Sequence, residues 1–422
     1  MSFRISDVRA REVLDSRGNP TVEVTVRLEG GGVGRFSTPS GASRGKREAL
    51  ELRDGGKWLK GMGVMRAVRN VNEIIRQSLI GVDASLQSLV DDILIQLDGT
   101  PDKSRLGANA ILGVSVASAK AVANQLGLPL YRYLGGTLAG VLPVPLMNVI
   151  NGGKHAGNEL AIQEFMIAPV NFRSFREALF AGVSIYMELR DLLRERYGRS
   201  AVNLGDEGGF APPMRRVEEA LEALVSAVER AGYDGDVKLV LDCAAGNFYM
   251  NGLYELDGRS MEKEELTSFY EDILGRYPIM GLEDPFHEDD LDSLSELTRR
   301  FGDRILLIGD DFFVSNERYL RRGIEAGAGN AMILKVNQVG TLTEAMRTAA
   351  LAFKHGYRVI VSHRSGETTD TFISDLSVAL NCGYVKSGAP ARGERVAKYN
   401  RLLEIEEELG PTARFHSPDQ VG

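Results

Sequence analysis

The chain has 422 residues, more than one compact core usually holds, so about two domains are expected. Its net charge of −8 and the lack of a dense Lys/Arg run exclude recognition of a nucleic-acid backbone through a broad basic surface. No apolar run approaches the roughly 20 residues needed to span a bilayer, so no membrane span is expected. Residues 1–13 carry Arg4, Asp7, Arg9, Arg11 and Glu12 in place of an apolar signal core, which predicts a cytoplasmic protein. Cys243 and Cys382 form neither a metal-ligand spacing nor a disulfide framework and read as buried small hydrophobes.

In chain order, residues 21–28 (TVEVTVRL) alternate apolar and polar side chains as a half-buried strand does. Gly30-Gly31-Gly32 then turns the chain into a second short strand. Helical patterns follow at 64–79, 83–97 and 109–126. Strands followed by helices predict a smaller N-terminal α+β domain over 1–134. The Gly- and Pro-rich stretch 135–145 is the boundary candidate, with a second domain over 143–422.

After about residue 230 short apolar runs alternate with helical patterns. The runs end at Asp242, Glu283, Asp310, Lys335 and His363. Helix caps are expected at Ser260 and Thr341. Glu283 to Asp310 is 27 residues, Asp310 to Lys335 is 25 and Lys335 to His363 is 28, one strand-plus-helix unit each time. This is the pattern of a (β/α)8 barrel, with an open α/β sheet as the competing architecture.

In such a barrel the carboxyl ends of the strands converge on one face. Asp242, Glu283 and Asp310 then offer three oxygen donors to a divalent cation, which suits Mg²⁺. A helix cap or a solvated turn is the plainer reading of any one of them. Lys335 at a strand end reads as a general base if nearby cations keep its amine neutral, or as half of a structural salt bridge. His363-Arg364-Ser365-Gly366 offers a phosphate-binding corner, with helix capping by Ser365 as the alternative. Gln163-Glu164 and Asp206-Glu207-Gly208-Gly209 add acids beside glycines, which also suits exposed turns. The segment 39–45 (PSGASRG) has the small-residue content of a lid over a substrate, and taken alone it reads as a linker.

Taken together, Asp15-Ser16-Arg17-Gly18-Asn19-Pro20, Ser40-Gly41-Ala42-Ser43, Gly205-Asp206-Glu207-Gly208-Gly209-Phe210, Leu334-Lys335-Val336-Asn337-Gln338, Ser362-His363-Arg364-Ser365-Gly366-Glu367 and Lys386-Ser387-Gly388-Ala389-Pro390 resemble the enolase family, in its order and over nearly the whole chain. The resemblance, nearest in style to archaeal members, implies an enolase-type barrel, ββαα(βα)6. It implies reversible dehydration of 2-phospho-D-glycerate to phosphoenolpyruvate, the hydro-lyase step of glycolysis and gluconeogenesis. Two Mg²⁺ ions would serve it, one held by Asp242, Glu283 and Asp310, the second arriving with substrate at Ser43. Lys335 would remove the C2 proton, and Glu207, with Glu164 and His155 beside it, would assist loss of the C3 hydroxide. Gln163, Glu164, His155, Glu283, Asp310, His363, Arg364, Ser365 and Lys386 would contact the substrate. A homodimer or a larger assembly such as an octamer, and a cytoplasmic location with a surface or secreted pool left open, are likewise implied. One departure stands beside Asp242: Gly246-Asn247 replaces the family's common Ser-Glu, which puts the support of Asp242 in question. The rivals are an acid-sugar dehydratase or muconate-type isomerase, which need not keep Ser43, Glu207 or Arg364-Ser365, and a non-catalytic binding protein, which need not keep Lys335.

Overall fold

The computed structural model of the chain describes residues 2–41, 45 and 47–417. It opens with an antiparallel sheet of β1 (Ile5–Leu14), β2 (Pro20–Leu28) and β3 (Val33–Ser37), in that order. The alternation read at 21–28 is real: Val22, Val24, Val26 and Leu28 all face the core. Helical chain follows over Met65–Leu79, with a π-type turn at Asn70–Ile75, then at α1 (Gln87–Asp98) and α2 (Ala108–Leu126). Helix α2 is rich in Ala and Val and buried nearly all round, since it lies between this sheet and the second domain.

Close approach of α2 to the sheet depends on a missing side chain. A Cβ at Gly34 would stand 2.0 Å from the Ala117 carbonyl oxygen and 2.3 Å from the Ala121 nitrogen. Backbone atoms in a regular helix cannot yield as a flexible side chain does. We therefore expect Gly34→Ala to cost about 2–3 kcal/mol, as overpacking does, read as a lower midpoint in denaturant unfolding.

The second domain is a closed barrel of β4 (Val144–Asn151), β5 (Glu164–Pro169), β6 (Val237–Asp242), β7 (Ile279–Glu283), β8 (Leu306–Gly309), β9 (Ala331–Leu334), β10 (Arg358–Ser362) and β11 (Gly383–Lys386). Strand β11 pairs with β4, so the ring closes and the open sheet is excluded. Its inside is filled by Val144, Leu146, Met166, Ala168, Val240, Ile308, Ala331, Ile333, Ile360 and Tyr384, a packed core rather than a pore. Strand β5 alone runs antiparallel to both neighbours and is followed by two helices, α3 (Phe175–Tyr197) and α4 (Val217–Arg230). That ββαα start precedes the regular repeats and carries no alternation a sequence reading could count.

Thr341 caps its helix as expected, accepting a hydrogen bond from the Glu344 amide at 3.2 Å. Ser260 does not. It lies in the short strand Arg259–Met261, and the helix Lys263–Arg276 is capped by a Glu262–Glu265 box. Cys243 and Cys382 are free and buried. Among the described residues no single helix is long and apolar enough to cross a membrane.

Candidate active site

The carboxyl ends of the parallel strands meet at one mouth, and the antiparallel β5 reaches that mouth with its first residue, Glu164. Opening there is a cavity lined by Gly41, Glu48, His155, Gln163, Glu164, Glu207, Asp242, Asp284, Asp310, Asp311, Lys335, His363, Arg364, Ser365 and Lys386 among others. All the described residues expected at the site except Glu283 are in that lining, and Glu283 lies directly behind it, fully buried. Ser43 lies outside the described residues. The exposed-turn reading fails for Gln163, Glu164 and Glu207, which are buried. The cap reading fails for Ser365, since the next helix is Phe372–Ala379 with Thr371 at its cap.

The predicted carboxylate trio is arranged differently from the expectation. Asp242 and Glu283 stand in register on neighbouring strands and both accept from the Lys386 ammonium, at 3.2 and 2.8 Å. Asp310 instead pairs with Lys335 and accepts from Gln338 Nε2 at 2.9 Å. The all-carboxylate group whose oxygens lie within 4.8 Å of one another joins Asp310 to Asp284 and Asp311. The physical reason is local neutralisation: each lysine gathers its nearest carboxylates about itself.

The neutral amine expected at Lys335 depends on Mg²⁺ and Lys386 beside it, and here its nearest partner is Asp310. Burial works against its charge, but Asp310 outweighs burial and raises the Lys335 pKa above the ordinary lysine value. Lys386 is held charged in the same way by Asp242, Glu164 and Glu283, against burial. The turn that carries Lys335 is braced from below. Ser315 Oγ accepts from the Lys335 amide at 2.8 Å and pairs with Gln338, on a turn where Val314 and Ser315 both take positive φ.

Across the barrel, Glu164, Glu207 and His155 form a buried cluster. His155 Nδ1 is 3.4 Å from Glu164 and 3.6 Å from Glu207. Burial, with the Glu207 charge, pushes the Glu164 carboxyl up to about 7. Glu207 falls the other way. Burial opposes its ionisation, but His363, His155 and Arg395 outweigh it and hold its carboxyl well below the usual range. Asn148 adds a donor to Glu207 at 3.0 Å. These two like groups titrate as a pair, with Glu164 the more readily protonated member.

Arg364 forks onto Glu48, at 3.0 and 3.3 Å, and onto Asn337 at 3.0 Å. The N-terminal domain is stapled to this corner. Ser40 and Gly366 exchange backbone hydrogen bonds at 2.8 Å each, and Ser16 donates its amide to the Glu367 carbonyl at 2.7 Å. A Cβ on Gly366 would stand 2.5 Å from both Arg17 and Asp15, which explains the glycine there. The Gly246-Asn247 departure also has an account. Asn247 donates to Gln163 Oε1 at 3.2 Å, and Gln163 in turn donates to Asp242 at 3.3 Å, so the support of Asp242 is rerouted. A Cβ on Gly246 would stand 2.9 Å from Glu288 Oε2.

The sequence reading missed Glu48, Asn148, Asp284, Asp311, Gln338 and Arg395. Asp284 and Asp311 each directly follow a chosen acid and were within reach of the strand-end argument. Gln338 belongs to the Leu334–Gln338 motif without having been given a role, and Glu48, Asn148 and Arg395 carry no local mark.

The donor set suits a divalent cation. Among the described residues, seven carboxylates line the cavity (Glu48, Glu164, Glu207, Asp242, Asp284, Asp310 and Asp311), against the cations Lys335, Arg364 and Lys386. The shortage of positive charge is visible in the acids themselves: burial raises Glu283 and Asp284 well above ordinary carboxyls and pushes Asp311 up to about 7. Hard oxygen donors in excess of their counter-charges are what a cation of the Mg²⁺ kind requires.

Family models described as "Enolase, N-terminal domain" and "Enolase, C-terminal TIM barrel domain" match residues 5–134 and 139–421. Curated relatives called enolase cover nearly the full chain. That of Methanopyrus kandleri is 58% identical over 416 residues, 98% of this chain and 97% of the relative. That of Methanocaldococcus jannaschii is 56% identical over 408 residues, 97% and 96% of the two chains. That of Pyrococcus furiosus is 56% identical over 417 residues, 98% and 97%.

Proposed function

Because this chain belongs to the enolase family, we propose that it interconverts 2-phospho-D-glycerate and phosphoenolpyruvate, with Lys335 as base at C2 and the Glu207–Glu164 couple as acid at the C3 hydroxyl. The observation that carries this reading is the placement of base and acid. In the ring of eight strands β9, which precedes Lys335, and β5, which begins with Glu164, are four places apart, so the two groups face each other across one cavity. An elimination needs that separation, since the proton leaves one carbon and the hydroxide leaves the next.

Removing a proton α to a carboxylate places more negative charge on an anionic group, so positive charge must already stand there. Asp242, Glu283 and Asp310 would hold one Mg²⁺, and Ser43 a second that comes with the substrate phosphate. The bound ions would supply charge where the substrate carboxylate gathers electrons. Lys386, already charged and aimed into the acidic cluster, supplies more. To accept the C2 proton, Lys335 must part from Asp310 and give its own ammonium proton to solvent, which a cation held at Asp310 and the charge on Lys386 would favour. Arg364 and Ser365 would bind the phosphate, and Gln163, His155 and His363 would complete the pocket. Domain limits of 1–134 and 143–422 belong to the proposal, as do the cytoplasm as its compartment and assembly into at least a dimer, with light scattering as the check on size.

Purified protein is expected to form phosphoenolpyruvate from 2-phosphoglycerate with Mg²⁺, followed as ultraviolet absorbance of the enol. No turnover with metal would overturn the reaction; turnover that survives chelation would overturn the metal. For Glu207→Gln we expect dehydration slowed by about 10²–10³-fold while C2 proton exchange persists. Equal loss of both would remove Glu207 from the acid couple, and the same pair of measurements on Glu164→Gln shows which carboxyl delivers the proton.

A further inference from the structure

We propose that Arg395 is a positioning residue that fixes His363 as an N–H donor facing Glu207 and ties the acid loop to the phosphate corner. The inference rests on the reading of Glu207 as part of the acid couple. Arg395 stands in the first turn of α5 (Gly393–Leu409) and is fully buried. One guanidinium nitrogen touches His363 Nδ1 and donates to the Arg364 carbonyl at 2.7 Å. The other donates to the Ser365 carbonyl at 2.6 Å and the Asp206 carbonyl at 3.1 Å. Its partners thus belong to two segments, 205–210 and 363–366, which approach the cavity from different parts of the barrel.

A guanidinium carries five N–H groups and no acceptor, so the His363 Nδ1 it touches must be the acceptor. The imidazole proton then sits on Nε2, which stands 3.3 Å from Glu207 Oε2. Burial pushes His363 down to about 4, against the pull of Glu207, so the ring stays neutral at pH 7 and this tautomer is the working one. A neutral Nε2–H facing Glu207 favours its carboxylate form and so leaves the acid couple's proton to Glu164. Fully burying a guanidinium is costly, and a plain loop anchor does not require one. Lysine cannot replace it, because an ammonium lacks the planar fork that reaches three carbonyls and a ring nitrogen together.

The chain has five histidines, so ¹⁵N labelling of their rings resolves His363. In the wild type we expect Nδ1 unprotonated and Nε2 protonated from pH 5 to 8; a protonated Nδ1 overturns the proposal whether or not any variant folds. In Arg395→Lys and Arg395→Met we expect dehydration slowed about 100-fold with C2 proton exchange kept, the pattern of a weakened acid. Exchange and dehydration falling in equal proportion would make Arg395 a structural anchor only, and no fall in either would also sink the idea. If the wild type fails to turn over 2-phosphoglycerate, the functional reading fails instead, while the ring spectra still decide whether Arg395 sets the tautomer.

Discussion

Replacing Lys335 by arginine is expected to abolish exchange of the C2 proton and to cut turnover by about 10⁴-fold, the upper end of what a general base supplies. The substitution separates two roles that the geometry joins. As the partner of Asp310, Lys335 can be succeeded by arginine, which keeps a positive charge beside the carboxylate. As a base it cannot, because a guanidinium does not give up its proton near neutral pH. Fold stability should therefore stay near wild type while exchange is lost. Lys335→Ala should lose exchange as well, but it also leaves Asp310 beside Asp284 and Asp311 without its counter-charge, so the metal-free protein should be less stable than with arginine. Solvent-deuterium incorporation at C2, measured by NMR on recovered substrate, is the readout. Normal incorporation in the arginine variant would move the base elsewhere and leave Lys335 as half of a salt bridge.

What the sequence disclosed and what it concealed differ by one physical property, the range of the interaction. Asp242, Glu283, Asp310, Lys335 and His363 were legible because each ends an apolar run, and a closed parallel barrel sends every such end to one face. Glu48 and Arg395 were not, because their partners are remote in sequence: Glu48 meets Arg364 across 316 positions and Arg395 meets Asp206 across 189. No local pattern encodes such a meeting. The same limit explains Ser260. A serine ahead of an acidic run looks like a helix cap, but pairing with Glu255 claimed it for a strand, and the Glu262–Glu265 box took over the capping. The charge on Lys335 was concealed for a related reason. The strand end fixes where its amine lies, while its proton depends on which of several acids from other strands stands nearest.

Removing the divalent cation should abolish turnover, and the cost of its absence should depend on pH in a direction set by the buried acids. Glu164 and Asp311 are pushed up to about 7 in the fold, whereas in an unfolded chain they titrate near 4.5 and 3.8. A raised carboxyl binds its proton more tightly when folded, so the stability it adds is complete below about pH 4 and fades as pH rises through 7. The metal-free protein should thus lose thermal stability from pH 5 to pH 8. Bound Mg²⁺ replaces those protons as the counter-charge, so the rise in melting temperature that it gives should be larger at pH 8 than at pH 5.5. Binding at pH 7 should release protons, and affinity should climb by up to about tenfold per pH unit for each proton displaced. Calorimetry in two buffers of different ionisation enthalpy counts them. Binding that releases none, with a stabilisation independent of pH, would mean that the ion settles away from the acids of this cavity, and Asp242, Glu283 and Asp310 would lose their claim to it.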